Sequence, residues 1–325
     1  MSALEVIARN TAFQWKGRAT DVCDVAKKLG VSHVLEGSVR KSGARVRITA
    51  QLIDGRSGGH IWADRFDRDL TDIFAVQDEI LRAIVDALKI KLLSEEKQAL
   101  TQRGTTNVDA YNMYLMARQH WISGVHGDIR KDQAIVRICS QAVAVVPDYA
   151  EAWALMSLAQ GELRFFHGTS DDALPAAQRA LELNPALPEP RCVKARYLEC
   201  EGKREEASHE LEASLRLDPD SWEANREIAR LYFRDGRFRD AIPFFEKATD
   251  LMAGDYHSPA MLLACYRAPE DQGHRKRAAE RALERSQDAI ARDPTNATAL
   301  AMGARALAVV GERDRAKDWA QRAYL

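Results

Sequence analysis

Apolar and polar residues alternate along the segment Arg45–Asp54, with an apolar residue at every second position from Val46 to Leu52. A period of two predicts a β-strand that buries one face and exposes the other. Turn-forming residues separate this segment from Val31–Val39 before it and from His60–Phe66 after it. Successive strands joined by such short turns pair as hairpins. The pattern therefore predicts three consecutive antiparallel strands.

The spacing of apolar residues changes on both sides of these strands. Positions three and four apart are apolar in Asp21–Leu29 and in Ile73–Leu93, which predicts two amphipathic helices. A further strand is expected at Val6–Arg9. We therefore expect an α+β domain in residues 1–93, with a mainly antiparallel sheet and two helices. The polar residues 94–107, which include Gly104, are the expected linker.

From residue 108 the sequence becomes rich in alanine and acquires a repeat. Pro185 and Pro219 are 34 residues apart, which is the tetratricopeptide period, and each follows a helical pattern. The intervals from Pro147 to Pro185 and from Pro219 to Pro294 are 38 and 75 residues, so these repeats carry insertions. Residues 108–325 are therefore predicted to form an all-α tetratricopeptide-repeat solenoid of about six helix pairs. The last pair is expected to be incomplete, because no proline closes it.

The bulk composition narrows the function classes. A net charge of -1 does not favour binding to nucleic acid or to an anionic membrane. The five cysteines are scattered and include no CxxC pair, which favours reduced thiols over disulfides or a zinc site. No apolar run approaches the roughly 20 residues of a membrane helix, and Met1–Asn10 lacks the pattern of a signal peptide. A cytoplasmic location and no membrane segment in this chain are expected.

The first domain resembles the TolB-like (FlgO-like) α/β domain of bacterial signalling proteins over roughly Glu5–Leu93. The matching segments are LEGSVR at Leu35–Arg40, RITAQLID at Arg47–Asp54, HIWADRFDR at His60–Arg68 and IFAVQDEI at Ile73–Ile80. The resemblance implies that more of this domain precedes Met1, so that residues 1–93 are an N-terminally truncated copy. It also implies a connecting role between an N-terminal effector and C-terminal tetratricopeptide repeats. That effector is most often a class III adenylate/guanylate cyclase domain and less often a winged-helix DNA-binding domain.

Motifs for catalysis are not found in the sequence. HExxH, P-loop and GxSxG patterns are lacking, and no counterpart of the cyclase metal-binding aspartates precedes Glu5. An acidic cluster has two interpretations. Its carboxylates could bind Mg²⁺ or Ca²⁺, or they could cap a helix and form surface ion pairs. The second interpretation is favoured, because arginines are interleaved with the aspartates. The members of the cluster are Asp64, Asp67, Asp69, Asp72 and Asp78. We therefore expect no catalytic, cofactor or metal site in this chain.

A second charged group is basic. Arg40, Arg45 and Arg47 could form a phosphate or nucleic-acid platform, or a solvated sheet face. The second interpretation is favoured, because no exposed aromatic residue is interleaved for base stacking.

The repeats supply the candidate binding site. In tetratricopeptide arrays certain positions of each first helix line the groove, and the resemblance places six residues there: Arg196, Arg226, Arg230, Phe233, Arg234 and Arg305. Arginine forks suit carboxylates, so an acidic peptide or protein is the expected partner. The alternative is that these arginines are solvated or paired with Glu199, Glu223 and Glu227.

Three functions remain open from the sequence. The first is a non-catalytic regulatory and protein–protein interaction region of a cyclase-type bacterial signalling protein. The second is the sensor half of a winged-helix transcription regulator, and the third is a stand-alone tetratricopeptide adaptor. In each case this chain itself is expected to bind protein, with neither enzymatic activity nor bound nucleic acid.

Overall fold

The computed structural model of the chain describes residues 12, 15, 20–43, 45–69, 73–88, 104–123 and 127–324. The chain divides into two compact units, Met1–Val108 and Asp109–Leu325. The predicted strand Val6–Arg9 and most of the predicted linker lie outside the described residues.

The first unit contains a three-stranded antiparallel sheet in the order β1-β2-β3. Its described elements are α1 (Val22–Leu29), β1 (His33–Ser42), β2 (Arg45–Asp54), β3 (His60–Asp69) and α2 (Ile73–Ala87). The predicted α+β class with an antiparallel sheet is confirmed. The first and third strands each end three residues later than the sequence pattern indicated, because cross-strand pairing continues to the end of β2 where Arg45 lies. The first strand begins at His33, two residues later than predicted, where its pairing with Asp54 starts.

The two faces of β2 follow the predicted alternation. Val46 and Ile48 are buried in a small core with Phe66 of β3 and Val76 of α2. On the opposite face Arg47 pairs with Asp67 across the strands at 2.7 Å. The apolar face therefore holds α2 against the sheet, and polar cross-strand pairs stabilise the solvent-exposed face.

The second unit is an array of helices of the tetratricopeptide type. Its described helices are α3 (Val108–Ser123), α4 (Ile129–Val145), α5 (Ala150–His167), α6 (Leu174–Leu183), α7 (Glu189–Cys200), α8 (Arg204–Leu217), α9 (Trp222–Arg234), α10 (Phe238–Leu251), α11 (His257–Cys265), α12 (Gln272–Arg292), α13 (Ala297–Val310) and α14 (Arg313–Arg322). Among the described residues, no helix is both long enough and apolar enough to cross a membrane.

The same tight turn recurs within three of the pairs. Gly202, Gly236 and Gly311 each adopt a left-handed conformation, with φ of 79°, 76° and 93°. In each case the amide of the next residue donates to a carbonyl five residues before it, at 2.9 Å. This is the bonding of a Schellman helix end, for which glycine is favoured because it has no Cβ. The turn glycines therefore mark the repeat independently of the prolines.

The irregular intervals have visible causes. Between Pro147 and Pro185, α5 runs to His167, and an irregular segment, residues 168–173, follows before α6 begins. Between Pro219 and Pro294, α12 is 21 residues long and follows a short 3-10 turn, Pro269–Asp271. The inserted residues therefore lengthen individual elements and leave the pairing of helices intact.

Close packing in the last pair depends on a small residue. A Cβ placed on Gly303 of α13 would lie 3.0 Å from the Cβ of Ser286 and closer still to the indole ring of Trp319 in α14. Trp319 is itself buried with Leu300 and Leu307. The glycine therefore permits the approach of helices that a larger residue would separate.

We expect Gly303→Ala to lower the free energy of unfolding by about 1–3 kcal/mol, because the added methyl group overpacks the Trp319 contact. The matched control is Gly161→Ala in α5, where a Cβ would meet Val193 at an ordinary 3.9 Å. That variant is expected to gain up to about 1 kcal/mol, since alanine favours a helix. Urea denaturation measures both, and equal effects of the two substitutions would contradict the packing argument.

Candidate functional site

Helix α9 presents three arginines on one side. Ser221 caps its start by accepting a hydrogen bond from the amide of Ala224 at 3.2 Å. Arg226, Arg230 and Arg234 follow at intervals of four residues, so that they share one face. The opposite face buries apolar residues such as Ile228 against α7 and α8.

These arginines and Arg196 of α7 meet carboxylates from the chain itself. We call the assembly the arginine–glutamate network. It contains Glu162 of α5, Arg196 and Glu199 of α7, and Arg226, Glu227, Arg230 and Arg234 of α9. It thus links three successive helix pairs.

One half of the network centres on Glu162. Its carboxylate accepts a hydrogen bond of 2.5 Å from Arg226, and Arg196 lies 3.5 Å away. Arg226 also donates to Glu227 at 3.1 Å, and Arg196 approaches the same carboxylate at 3.7 Å. Four charged side chains from three helices therefore neutralise one another.

The other half centres on Glu199. Arg230 donates to Glu199 at 2.5 Å and to Glu227 at 2.8 Å, so it joins the two halves. Arg234 lies 2.9 Å from the same Glu199 carboxylate. The Arg234 side chain is 52% exposed, whereas that of Arg226 is 7% exposed. Arg234 is thus the member that solvent reaches most readily.

Burial makes the charge balance of the network obligatory. Burial by itself would raise the pKa of Glu227, but the nearby guanidinium groups of Arg230, Arg196 and Arg226 outweigh it and hold that pKa at about 2. Burial likewise opposes the charge of Arg226, and the carboxylates of Glu162 and Glu227 overcome it and raise the pKa of Arg226. Glu227 and Arg226 are therefore both ionised at neutral pH.

Aromatic rings complete the surroundings of the buried guanidinium groups. Arg226 lies over the Trp222 ring at 4.5 Å and Arg196 over the Phe165 ring at 4.4 Å from the centroids. Such cation–π contacts add to the stabilisation of a desolvated arginine. Arg196 and Arg226 are thus each held by an aromatic ring as well as by carboxylates.

The sequence placed four of these arginines in one groove and left open their pairing with Glu199, Glu223 and Glu227. The structure brings the four together and pairs them with Glu199 and Glu227. Glu223 instead accepts a hydrogen bond from the indole of Trp121 at 2.8 Å.

Sequence reasoning missed Glu162. Arg196 and Arg230 each lie 11 residues after a repeat proline, Pro185 and Pro219, so they occupy equivalent positions of successive repeats. Glu162 lies 15 residues after Pro147, about one helical turn further along its own repeat, so the repeat period does not pair it with these arginines.

The two remaining candidates, Phe233 and Arg305, lie elsewhere, beside a cavity of about 930 Å³. We call it the Met261–Met302 cavity. It is lined by Phe233 of α9, Ala260, Met261, Leu263 and Ala264 of α11, Gln272 and Arg275 of α12, and Met302, Arg305, Ala308 and Val309 of α13. The six predicted groove residues therefore divide between two places.

Several charged side chains of the first unit form ion pairs with one another. Asp67 accepts a hydrogen bond from Arg47, which lowers the pKa of Asp67, and Arg65 lies 3.6 Å away. Arg68 pairs with Glu79 at 3.0 Å. Asp72 falls outside the described residues. In the part of the chain that the structure describes, no three His, Cys, Asp or Glu side chains are grouped closely enough to hold a metal ion.

Comparisons with known proteins agree with the repeat architecture. Residues 192–255 match the family model of the tetratricopeptide repeat. A Rhizobium meliloti protein named "Putative adenylate cyclase 3" is 37% identical over 215 residues, which make up 64% of this chain and 36% of that protein. A "TPR repeat-containing thioredoxin TTL4" of Arabidopsis thaliana is 30% identical over 116 residues, 36% of this chain and 16% of that protein. The chain thus spans well under two thirds of either relative.

Two solved structures are also similar. The human IFIT1 dimer with m7Gppp-AAAA has a TM-score of 0.46 and 16% identity, and the match covers 78% of this chain and 66% of that one. YrrB, described as a TPR protein with an unusual peptide-binding site, has a TM-score of 0.32 and 16% identity over 57% of this chain and 90% of its own.

Removing a single arginine from the buried part of the network is expected to destabilise the fold. Arg226→Met leaves Glu162 and Glu227 buried with fewer cations, and should lower the free energy of unfolding by about 3–5 kcal/mol. The control is Arg234→Met, which removes a half-exposed partner of Glu199 while Arg230 remains, and should cost at most about 1 kcal/mol. Chemical denaturation at neutral pH measures both losses, and an Arg226 variant as stable as the control would contradict the described pairing.

The network also adjoins a histidine that resists protonation. His257 packs against Phe166 at 5.7 Å between ring centroids, and its amide donates to Asp255. Burial lowers the pKa of His257 to about 4, and the positive charge of Arg226 acts in the same direction, against the carboxylates of Asp255, Glu162 and Glu227.

The free energy of unfolding should therefore decrease as the pH is lowered from 7 towards 4.5. Between the ordinary histidine pKa of about 6.5 and the folded value, the unfolded chain binds a proton at this residue that the folded chain does not. Lowering the pH from 7 to 4.5 should cost about 2 kcal/mol through His257 alone. We expect His257→Gln to remove that part of the pH dependence, measured by urea denaturation at both pH values. Parallel pH profiles of the two proteins would show that His257 protonates freely in the fold.

Proposed function

We propose that this chain is a non-catalytic, protein-binding regulatory region of a cyclase-type bacterial signalling protein. The single observation that carries the proposal is the 37% identity over 215 residues to a relative named as an adenylate cyclase, of which the chain spans 36%. The tetratricopeptide repeats of residues 192–255 support a role in protein–protein interaction.

The order of the two units along the chain is in keeping with this proposal. We assign the first unit to the TolB-like class, which the sheet β1-β2-β3 and its two flanking helices suit. A domain of this class joined to repeats would couple a partner bound by the repeats to an effector elsewhere in the parent protein. The described parts of both units contribute ion pairs and apolar cores, which are the features of a scaffold.

The cysteines support a cytoplasmic location for this region. All five are free thiols, and Cys139, Cys192 and Cys265 are buried. Burial raises the pKa of Cys139 to about 12, so its thiol is inert at neutral pH. Unpaired thiols of this kind are typical of a reducing compartment.

The parent gene tests the proposal. Sequencing the transcript upstream of the Met1 codon is expected to find an in-frame class III cyclase domain, and deletion of the repeats should then change the rate of cyclic-nucleotide synthesis by the parent protein. An upstream winged-helix domain would make the chain the sensor half of a transcription regulator. A stop codon and ribosome-binding site directly upstream would favour a stand-alone adaptor. Either of these two results would contradict the cyclase assignment.

A further inference from the structure

The arginine–glutamate network leaves little positive charge for a ligand. Arg196, Arg226 and Arg230 are largely buried and each already contacts two carboxylates. A ligand carboxylate could reach these guanidinium groups only by displacing a buried glutamate. The negative charge of that glutamate would then be left without a neighbouring cation. The acidic-partner hypothesis therefore needs cations outside the network.

Two arginines of the Met261–Met302 cavity meet that requirement. Arg275 of α12 and Arg305 of α13 both line the cavity. Within the described part of the chain, neither forms an ion pair with a carboxylate. The Nε atom of Arg275 is moreover buried and lacks a hydrogen-bond partner among the described residues. A buried donor of this kind costs free energy until a partner satisfies it.

Apart from Gln272, the remainder of the lining is apolar. Met261 and Met302 are partly buried and pack against the core cluster beneath them, as does Phe233. Methionine side chains adapt to irregular apolar partners, and a cavity of about 930 Å³ has the size of a binding pocket. On α13, Met302, Arg305 and Val309 recur at helical spacing, so that one face of this helix offers both apolar contacts and a cation.

We propose that the Met261–Met302 cavity binds an acidic peptide segment of a partner protein, with an apolar side chain of the peptide in the cavity and its carboxylates on Arg275 and Arg305. The inference rests on the proposed protein-binding function and names the chemistry of the partner. An apolar anchor suits the methionine and phenylalanine lining, and carboxylates suit guanidinium forks that protein groups leave unpaired. A single-stranded nucleic acid is the less suitable occupant, since only two such arginines line the cavity and the whole chain has a net charge of -1.

The test begins with the whole chain and a phage-displayed library of random 12-residue peptides. Selected peptides are expected to place Asp or Glu beside Leu, Met or Phe. Their synthetic, fluorescein-labelled forms should bind at least about tenfold more weakly to Arg305→Glu and to Arg275→Glu, because like charges then face each other. The matched control, Arg234→Glu, reverses a half-exposed arginine of the network and should change the affinity less than about threefold.

Charge reversal in the peptide separates a direct contact from damage to the fold. Peptides with Lys in place of Asp or Glu should regain affinity for Arg305→Glu and lose it for the unmodified chain. Peptides that bind equally to all variants, or that carry no acidic residue, would overturn this inference while leaving the proposed protein-binding function in place. Failure to select any peptide would count against both. If a 12-nucleotide oligouridine binds tightly and Arg305→Glu abolishes that binding, the ligand of the cavity is a nucleic acid, and the peptide proposal is wrong.

Discussion

The pairing of buried guanidinium and carboxylate groups is the constraint on which the centre of the repeat array depends. The carboxylates of Glu162, Glu199 and Glu227 are each at most 5% exposed, and a charge so far from water is tolerated only beside an opposite one. Because these glutamates come from three helix pairs, neutralising them fixes the spacing of α5, α7 and α9. Removing one partner of such a network is costly because it leaves an uncompensated buried charge, even where the intact network adds little net stability.

The pairing of these charges distinguishes two regions of the repeat array. Where the arginines are satisfied by the chain, the array is a scaffold whose charges are already matched. Beside α11, α12 and α13, by contrast, Arg275 and Arg305 border a largely apolar cavity without carboxylate partners in the described residues. A ligand would therefore be recognised by the last helix pairs, and the central pairs would hold those pairs in position.

Local patterns in the sequence predicted the three antiparallel strands and the repeat. The alternation in Arg45–Asp54 predicted β2 to the residue, because side-chain direction alternates along every strand. The 34-residue period located the turn at Gly236, whose left-handed backbone a glycine permits. The site was less accessible, since pairing between repeats is a tertiary property. Glu162 belongs to a repeat with a lengthened exit. Arg275 belongs to the lengthened second helix of its pair, whereas the groove positions were taken from first helices.

The most direct measurement of the central claim is a double-mutant cycle between Glu162→Gln and Arg226→Met, with the free energy of unfolding determined for all four proteins. Direct pairing predicts that the two losses are not additive, and that the double variant is more stable than their sum implies by about 1–3 kcal/mol. Additive losses, within about 0.5 kcal/mol, would contradict the account, because they would show that the two buried charges do not stabilise one another.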